Sequence, residues 1–340
     1  MTIQSINGIP DRRLGSAGLK VFPLAIGCMG MGKAALYGES DEAESIRAIH
    51  AAVDFGITLF DTGDFYGMGQ NELLLQRALS EMAPSSRERV QLSVKFGAMR
   101  APNGTWLGAD CRPITVKNAL AQSLSKLGVD HIDIYRPARL DDSVPIEDTV
   151  GAIAEMVKQG YVRYVGLSEV SISTVRRALG VTPICDMQIE YGIATRGIEA
   201  SILPGLRELA VGVTAYGVLS RGLLSGSKPQ ARGDFRKFLP RFTGTNLSKN
   251  EALVSALREI AEERGSTVVK MAIAWVLAQG SDIVPVLGCR TVAQVTEAIE
   301  AATIHLAPEE MKKLEAAIPG EQVAGARYDK HSMAHLDSER

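Results

Sequence analysis

The sequence predicts an α/β protein, a closed (β/α)8 TIM barrel with an N-terminal β-hairpin and long loops at its C-terminal face. Three observations carry that expectation. Eight short, β-branched apolar runs alternate with amphipathic stretches of helical period. Each run is separated from the next by a segment long enough for a helical crossover, which makes the strands parallel. Eight such units is the number that closes a barrel of this kind.

Each element follows from its residues. RRLGSAGLKV, at 12–21, reads as a hairpin turning at residues 15–18 and placed to plug the bottom of the barrel. Strands are expected at 24–27, 58–61, 90–95, 132–136, 164–168, 185–189, 212–215 and 283–286. Helices are expected at 42–55, 72–80, 115–127, 146–158, 173–178, 200–209 and 267–278. Segment 225–249 is rich in Gly, Pro, Arg and Lys, carries Phe235, Phe238 and Phe242, and lacks periodicity. It reads as a long loop over the active site. A polar tail, 320–340, ends the chain. Without a repeat or a low-complexity linker, residues 1–340 read as one domain. The rival architecture is a doubly wound sheet, because Gly30-Met-Gly32-Lys-Ala-Ala35 fits GxGxxA. However, Tyr37-Gly-Glu-Ser separates that turn from the first helix, and eight units suit a closed barrel better.

Composition narrows the function. The 340 residues are 46% hydrophobic and 22% charged, enough to bury a large core, and the net charge is −2. That charge gives no electrostatic basis for nucleic acid or an anionic membrane as partner, so a small molecule is expected. The first residues lack the apolar core of a signal peptide, and no stretch approaches the roughly 18 apolar residues of a membrane span. Cys28, Cys111, Cys185 and Cys289 are scattered without a CxxC pair, which fits a reducing, cytoplasmic setting and no structural zinc. The five histidines form no cluster, so no metal is expected. A monomer or weak homo-oligomer is expected.

In such barrels the active site lies at the C-terminal ends of the strands. Strand two ends in Asp61 and runs on to Tyr66, while strand three ends in Lys95. A phenol has a pKa near ~10 and needs help to act at neutral pH. An adjacent ammonium lowers that pKa, and a carboxylate fixes the ammonium in place. The trio suits a group that protonates a carbonyl oxygen while hydride arrives at the carbon. Taken singly, Asp61 and Lys95 also read as a structural ion pair, and Tyr66 as a packing residue.

FDTGDFYGMGQNELLLQRAL, residues 60–79, resembles the strand-two signature of the aldo-keto reductases. SVKFG at 93–97, YVGLSEV at 164–170, AYGVLSRGLLSG at 215–226 and PVLGCR at 285–290 fall in that family's order and spacing, so the similarity covers about residues 12–318. The resemblance implies NADPH-dependent reduction of an aldehyde or ketone, with Tyr66, Lys95 and Asp61 catalytic. It also implies that Ser168 and Gln188 bind the nicotinamide amide and that Tyr216 stacks on its ring. Ser220, Arg221 and Leu223 would follow the pyrophosphate, with Gly288, Arg290 and Gln294 at the adenosine 2′-phosphate and Glu297 at the adenine. Where the family has Asn, Glu169 follows Ser168, and Ala298 follows Glu297.

The fourth catalytic residue of the family, a histidine, is absent. In DIYRPARLD, residues 133–141, Ala138 stands in its place. Water, the guanidinium of Arg136 or the substrate's own fit could replace it, and Arg136 equally reads as paired with a neighbouring carboxylate. The wider pocket suits a bulky cyclic ketone or a ring-bearing aldehyde, since pyridoxal reductases of the family also lack this histidine. Two other functions remain open in the sequence. One is a Schiff-base lyase using Lys95, and the other is a non-catalytic, nicotinamide-sensing subunit.

Overall fold

The structure is a computed structural model and describes residues 8–16, 18–32, 37–38, 40–229 and 234–340. Eight parallel strands close into a barrel. They are β1 (Ala25–Gly27), β2 (Leu59–Gly63), β3 (Gln91–Phe96), β4 (Ile132–Pro137), β5 (Val162–Ser168), β6 (Ile184–Glu190), β7 (Gly212–Tyr216) and β8 (Ile283–Leu287). They pair in chain order, and β8 closes on β1 by placing Val286 beside Ala25. At least one helix follows each strand and packs its apolar face on the barrel. Closure excludes the doubly wound alternative. Within the GxGxxA stretch, residues 33–36 lie outside the described residues.

The barrel interior is layered, because alternate residues of each strand point inward. At the bottom, Arg12–Leu14 pairs antiparallel with Leu19–Val21. Leu14, Leu19 and Val21 pack there on Leu59, Ile134 and Cys185. Gly15 makes this plug possible. Its φ is +60°, and a Cβ would lie 2.3 Å from the Cys185 carbonyl oxygen. Residue 17 of this turn lies outside the described residues.

The middle layer is polar. Arg136, fully buried, donates to Asp186 Oδ2 at 2.9 Å, Thr214 Oγ1 at 3.1 Å and Ser93 Oγ at 3.0 Å. A glycine in β5 leaves the room it needs: a Cβ on Gly166 would stand 2.7 Å from Asp186 Oδ1 and 3.1 Å from Arg136 Cζ. The interior thus holds a guanidinium because β5 lacks a side chain opposite it.

Several segments outside the eight units differ from the sequence expectation, among them the helices Pro308–Ala317 and Lys330–Ala334. The stretch expected as a loop at 225–249 contains short 3-10 turns at Phe235–Phe238 and Pro240–Phe242, and its last residues open the helix Gly244–Glu263. That helix starts on Gly-Thr-Asn and has no side-chain cap at Thr243, so its beginning carries none of the usual signals. Residues 230–233 lie outside the described residues. The loop after β3 forms a second hairpin, Ala98–Arg100 with Trp106–Ala109. Among the described residues, no helix is long and apolar enough to cross a membrane.

Candidate active site

Register brings two of the sequence's three catalytic candidates, Asp61 and Lys95, onto neighbouring strands. β2 and β3 are neighbours, with Asp61 beside Ser93 and Gly63 beside Lys95. Above the Arg136 layer, Lys95 Nζ forms an ion pair with Asp61 Oδ2 and donates to Gln188 Oε1 at 3.0 Å. Gln188 Nε2 in turn donates to Asp61 Oδ1 at 2.9 Å, and Ser93 Oγ donates to the same oxygen at 2.8 Å. Both charged groups are buried, with Asp61 4% and Lys95 5% exposed. Here Gln188, expected on the nicotinamide, completes the lysine–carboxylate network. Ser93 links that network to Arg136 below it.

Tyr66 sits beside this network. It opens a 3-10 turn after β2 and is buried, and Lys95 Nζ lies 5.2 Å from its ring centroid. The loop is held in an uncommon shape, since Gly67, Met68 and Gly69 all have positive φ. Asn71 anchors it by donating to the carbonyls of Cys28 at 2.8 Å and Met31 at 3.2 Å and accepting from Thr62 Oγ1 at 2.7 Å. Burial, and then the Asp61 charge, raise the Tyr66 phenol well above its usual pKa of 10. This differs from the expectation that Lys95 lowers it. The ammonium is spent on Asp61 and Gln188 and faces the ring rather than competing with burial. Burial also lowers the Lys95 pKa from 10.5, while Asp61 opposes that shift. An ammonium clamped against a carboxylate has no lone pair to offer a carbonyl carbon, so this geometry gives no support to Schiff-base chemistry.

The histidine's place is empty of donors. Ala138 is buried, and its backbone N–H donates to the Phe96 carbonyl. Arg136 cannot substitute. Strand alternation points it into the barrel, and there Asp186, Thr214 and Ser93 hold its guanidinium.

The tail crosses the mouth, a feature no local sequence signal announces. Arg327 forms a bidentate pair with Glu169 at 2.9 Å and 2.9 Å, and Ser338 Oγ donates to Glu169 Oε2 at 2.7 Å. Burial would raise the Glu169 carboxyl, but the hydrogen bonds and charge of Arg327 outweigh it and hold it at about 2. Tyr216 Oη donates to Glu169 Oε1 at 2.7 Å and lies 2.9 Å from Tyr328 Oη. Arg221 pairs with Glu190 at 2.9 Å and lies over the Tyr328 ring, 4.6 Å from its centroid.

The remaining candidates for a cofactor site fall on two neighbouring stretches. Ser168 is buried beside Gln188, its register partner on β6. Ser220 and Arg221 adopt positive φ after β7, with Leu223 buried just beyond. Beside Ser220 and Arg221, Arg241 and Arg327 close a tight cleft together with Glu190. Beyond β8, Gly288 leads to Arg290 at the start of the helix Val292–Ala302. Gln294 accepts from the Arg290 backbone at 2.7 Å, and Glu297 accepts from Thr267 Oγ1 at 2.7 Å.

A closed parallel barrel with a buried carboxylate–lysine pair and a tyrosine at its strand ends defines a class of barrel enzymes that act on carbonyls. The chain belongs to the aldo/keto reductase family, whose sequence model matches residues 23–319. It is thus an oxidoreductase of carbonyl compounds that works with a nicotinamide cofactor. Solved structures agree. The glycerol dehydrogenase AKR11B4 from Gluconobacter oxydans is similar at 28% identity and TM-score 0.82, covering 92% of this chain and 95% of that one. The holo form of the aldo-keto reductase AKR11C1 from Bacillus halodurans is similar at 25% identity and TM-score 0.75, covering 95% and 99%. A thermostable aldo-keto reductase in complex with the inhibitor epalrestat is similar at 25% identity and TM-score 0.71, covering 91% and 99%.

Proposed function

We propose that the protein reduces an aldehyde or ketone to the alcohol with NADPH, and that Tyr66 donates the proton. The observation that carries this reading is the buried Asp61–Lys95–Gln188 network beside Tyr66 at the barrel mouth.

The residues fit a phosphorylated nicotinamide dinucleotide. Among the described residues the Arg290 guanidinium has no carboxylate partner, and its stem packs on Gly30, where a Cβ would come within 3.3 Å of Arg290 Cδ. A guanidinium beside a helix N-terminus suits a phosphate. The first-turn N–H of Val292 is taken by Glu44 at 3.1 Å, so the discrimination for NADPH rests on Arg290. Near Ser220, Arg221 and Arg241 share Glu190 and Arg327 holds Glu169, so a pyrophosphate bound there would compete with those carboxylates for the guanidinium groups.

Bound NADPH supplies the hydride. Asp61 and Gln188 hold Lys95 in place. Tyr66 keeps its proton until the carbonyl oxygen gains charge, because burial raises its pKa. The nearby ammonium of Lys95 then stabilises the phenolate as it forms.

A methyl group at Ala138 in place of the family's imidazole favours bulky cyclic ketones and ring-bearing aldehydes as substrates. Similarity to a glycerol dehydrogenase adds small α-hydroxy carbonyls to the candidates. The test is loss of NADPH absorbance across a panel holding pyridoxal, a cyclic ketone, dihydroxyacetone and glyceraldehyde, after NADPH binding is measured by fluorescence quenching. Binding followed by turnover of at least one member is expected. Failure to bind either nicotinamide cofactor would sink the reading.

A further inference from the structure

The missing histidine leaves one task without a residue: donation of a hydrogen bond to the substrate's carbonyl oxygen. Arg136 is held below the site, but Arg139 is not. It follows Ala138 directly at the end of β4. Its Nη1 donates to the Ala138 carbonyl oxygen at 2.6 Å, and its Nη2 donates to Tyr328 Oη at 3.2 Å. Tyr328 Oη lies 2.9 Å from Tyr216 Oη. The half-buried guanidinium therefore lies between the backbone at the histidine's position and Tyr328, whose hydroxyl meets that of the ring proposed to carry the nicotinamide. A carbonyl receiving hydride has to approach that ring.

Charge singles out the same residue. Arg221 is matched by Glu190, and Arg327 by Glu169. Among the described residues, Arg139 has no carboxylate at ion-pair distance and is satisfied only by a carbonyl and a phenol. Its positive charge lowers the pKa of both Tyr66 and Lys95.

We propose that Arg139 is a catalytic residue that binds the carbonyl oxygen of the substrate, exchanging its hydrogen bond to Tyr328 for one to that oxygen. The proposal rests on the carbonyl reductase reading above. Hydride from the nicotinamide forms the new C–H bond, and the π pair of the C=O bond moves onto oxygen beside the guanidinium. Tyr66 then gives that oxygen its proton and regains one from solvent. Arg139 keeps its own proton throughout, as a guanidinium must. It differs from a histidine in one consequential way. Its planar fork presents parallel N–H groups that match two oxygens at once. The favoured substrates are therefore carbonyls with a second acceptor oxygen on the adjacent carbon, such as α-hydroxy aldehydes and 1,2-dicarbonyls.

The test compares wild type, Arg139→Ala and the double variant Ala138→His/Arg139→Ala, each checked by thermal melting, with NADPH on glyceraldehyde and propionaldehyde. Arg139→Ala is expected to lose about 10²–10³-fold in kcat/KM on glyceraldehyde, with NADPH affinity unchanged. The preference for glyceraldehyde over propionaldehyde should collapse with it. Added guanidinium ion should restore part of the lost rate, and histidine at 138 should restore the rate on propionaldehyde without the preference. A purely structural role would show neither rescue. Wild-type rates in Arg139→Ala would overturn the proposal, as would a loss that neither guanidinium nor histidine restores. If the wild type itself turned over no carbonyl, the reading of function would fail first, whatever Arg139 does.

Discussion

Replacing Asp61 by asparagine removes one charge and almost no volume, so its effects isolate the carboxylate. Three groups donate to that carboxylate: Lys95, Ser93 at 2.8 Å and Gln188 at 2.9 Å. Lys95 is 5% exposed and would be left as an ammonium without its counter-charge, while the asparagine either turns an NH2 toward it or breaks the bond from Gln188. Breaking a buried pair from one side costs about 3–5 kcal/mol, and urea denaturation should register a loss of that order. The change also acts on chemistry. Burial already lowers the Lys95 pKa from 10.5, and Asp61 is the group that works against that shift. In Asp61→Asn the ammonium should lose its proton at lower pH, moving the alkaline limb of the pH–kcat profile to lower pH. At neutral pH kcat should fall by about 10²–10⁴, the range for disabling a positioned proton-transfer group. Wild-type stability together with an unmoved alkaline limb would refute this account of the network.

Three further expectations follow from the packing and electrostatics. Gly166→Ala pushes a Cβ to 2.7 Å from Asp186 Oδ1 beside Arg136, so it should destabilise the barrel by about 1–3 kcal/mol, read as a lower melting temperature. Asp64 is raised from 3.8 to about 7, first by burial, against the Gly97 N–H and with the help of Glu72. The folded state therefore holds a proton that the unfolded chain has lost above 3.8, and this group's contribution to stability falls as pH rises from about 4 to about 7. Asp64→Asn should flatten that slope in melting temperatures taken across the interval. Arg290→Gln should weaken NADPH by about 10–100-fold, the worth of a hydrogen bond to a charged group, and leave NADH affinity alone in fluorescence titrations.

Much of the barrel was legible because its signals are local. Each strand is a short apolar run closed by a turn, and the structure shifts the bounds by a residue or two, as when 185–189 becomes Ile184–Glu190. The helix Gly244–Glu263 was hidden by its glycine start and absent cap. The hairpin after β3 had a readable sign in Asn103-Gly104, the usual chemistry of a tight turn. Asp61, Tyr66 and Lys95 were legible as residue types at or just past strand ends; register places Asp61 and Lys95 on neighbouring strands, and the turn after β2 sets the Tyr66 ring beside Lys95. What escaped the sequence is long-range. Glu169 and Arg327 are separated by 158 positions, so no spacing rule joins them. Arg139 was overlooked in favour of Arg136, because alternation says which residues point inward but not where the chain leaves the strand and turns.

The most direct measurement of the central claim is Tyr66→Phe, which deletes one hydroxyl and keeps the ring beside Lys95. NADPH affinity by fluorescence quenching should stay at the wild-type value, while kcat for any carbonyl the wild type reduces should fall by about 10²–10⁴. Wild-type turnover without that hydroxyl would contradict Tyr66 as the proton donor.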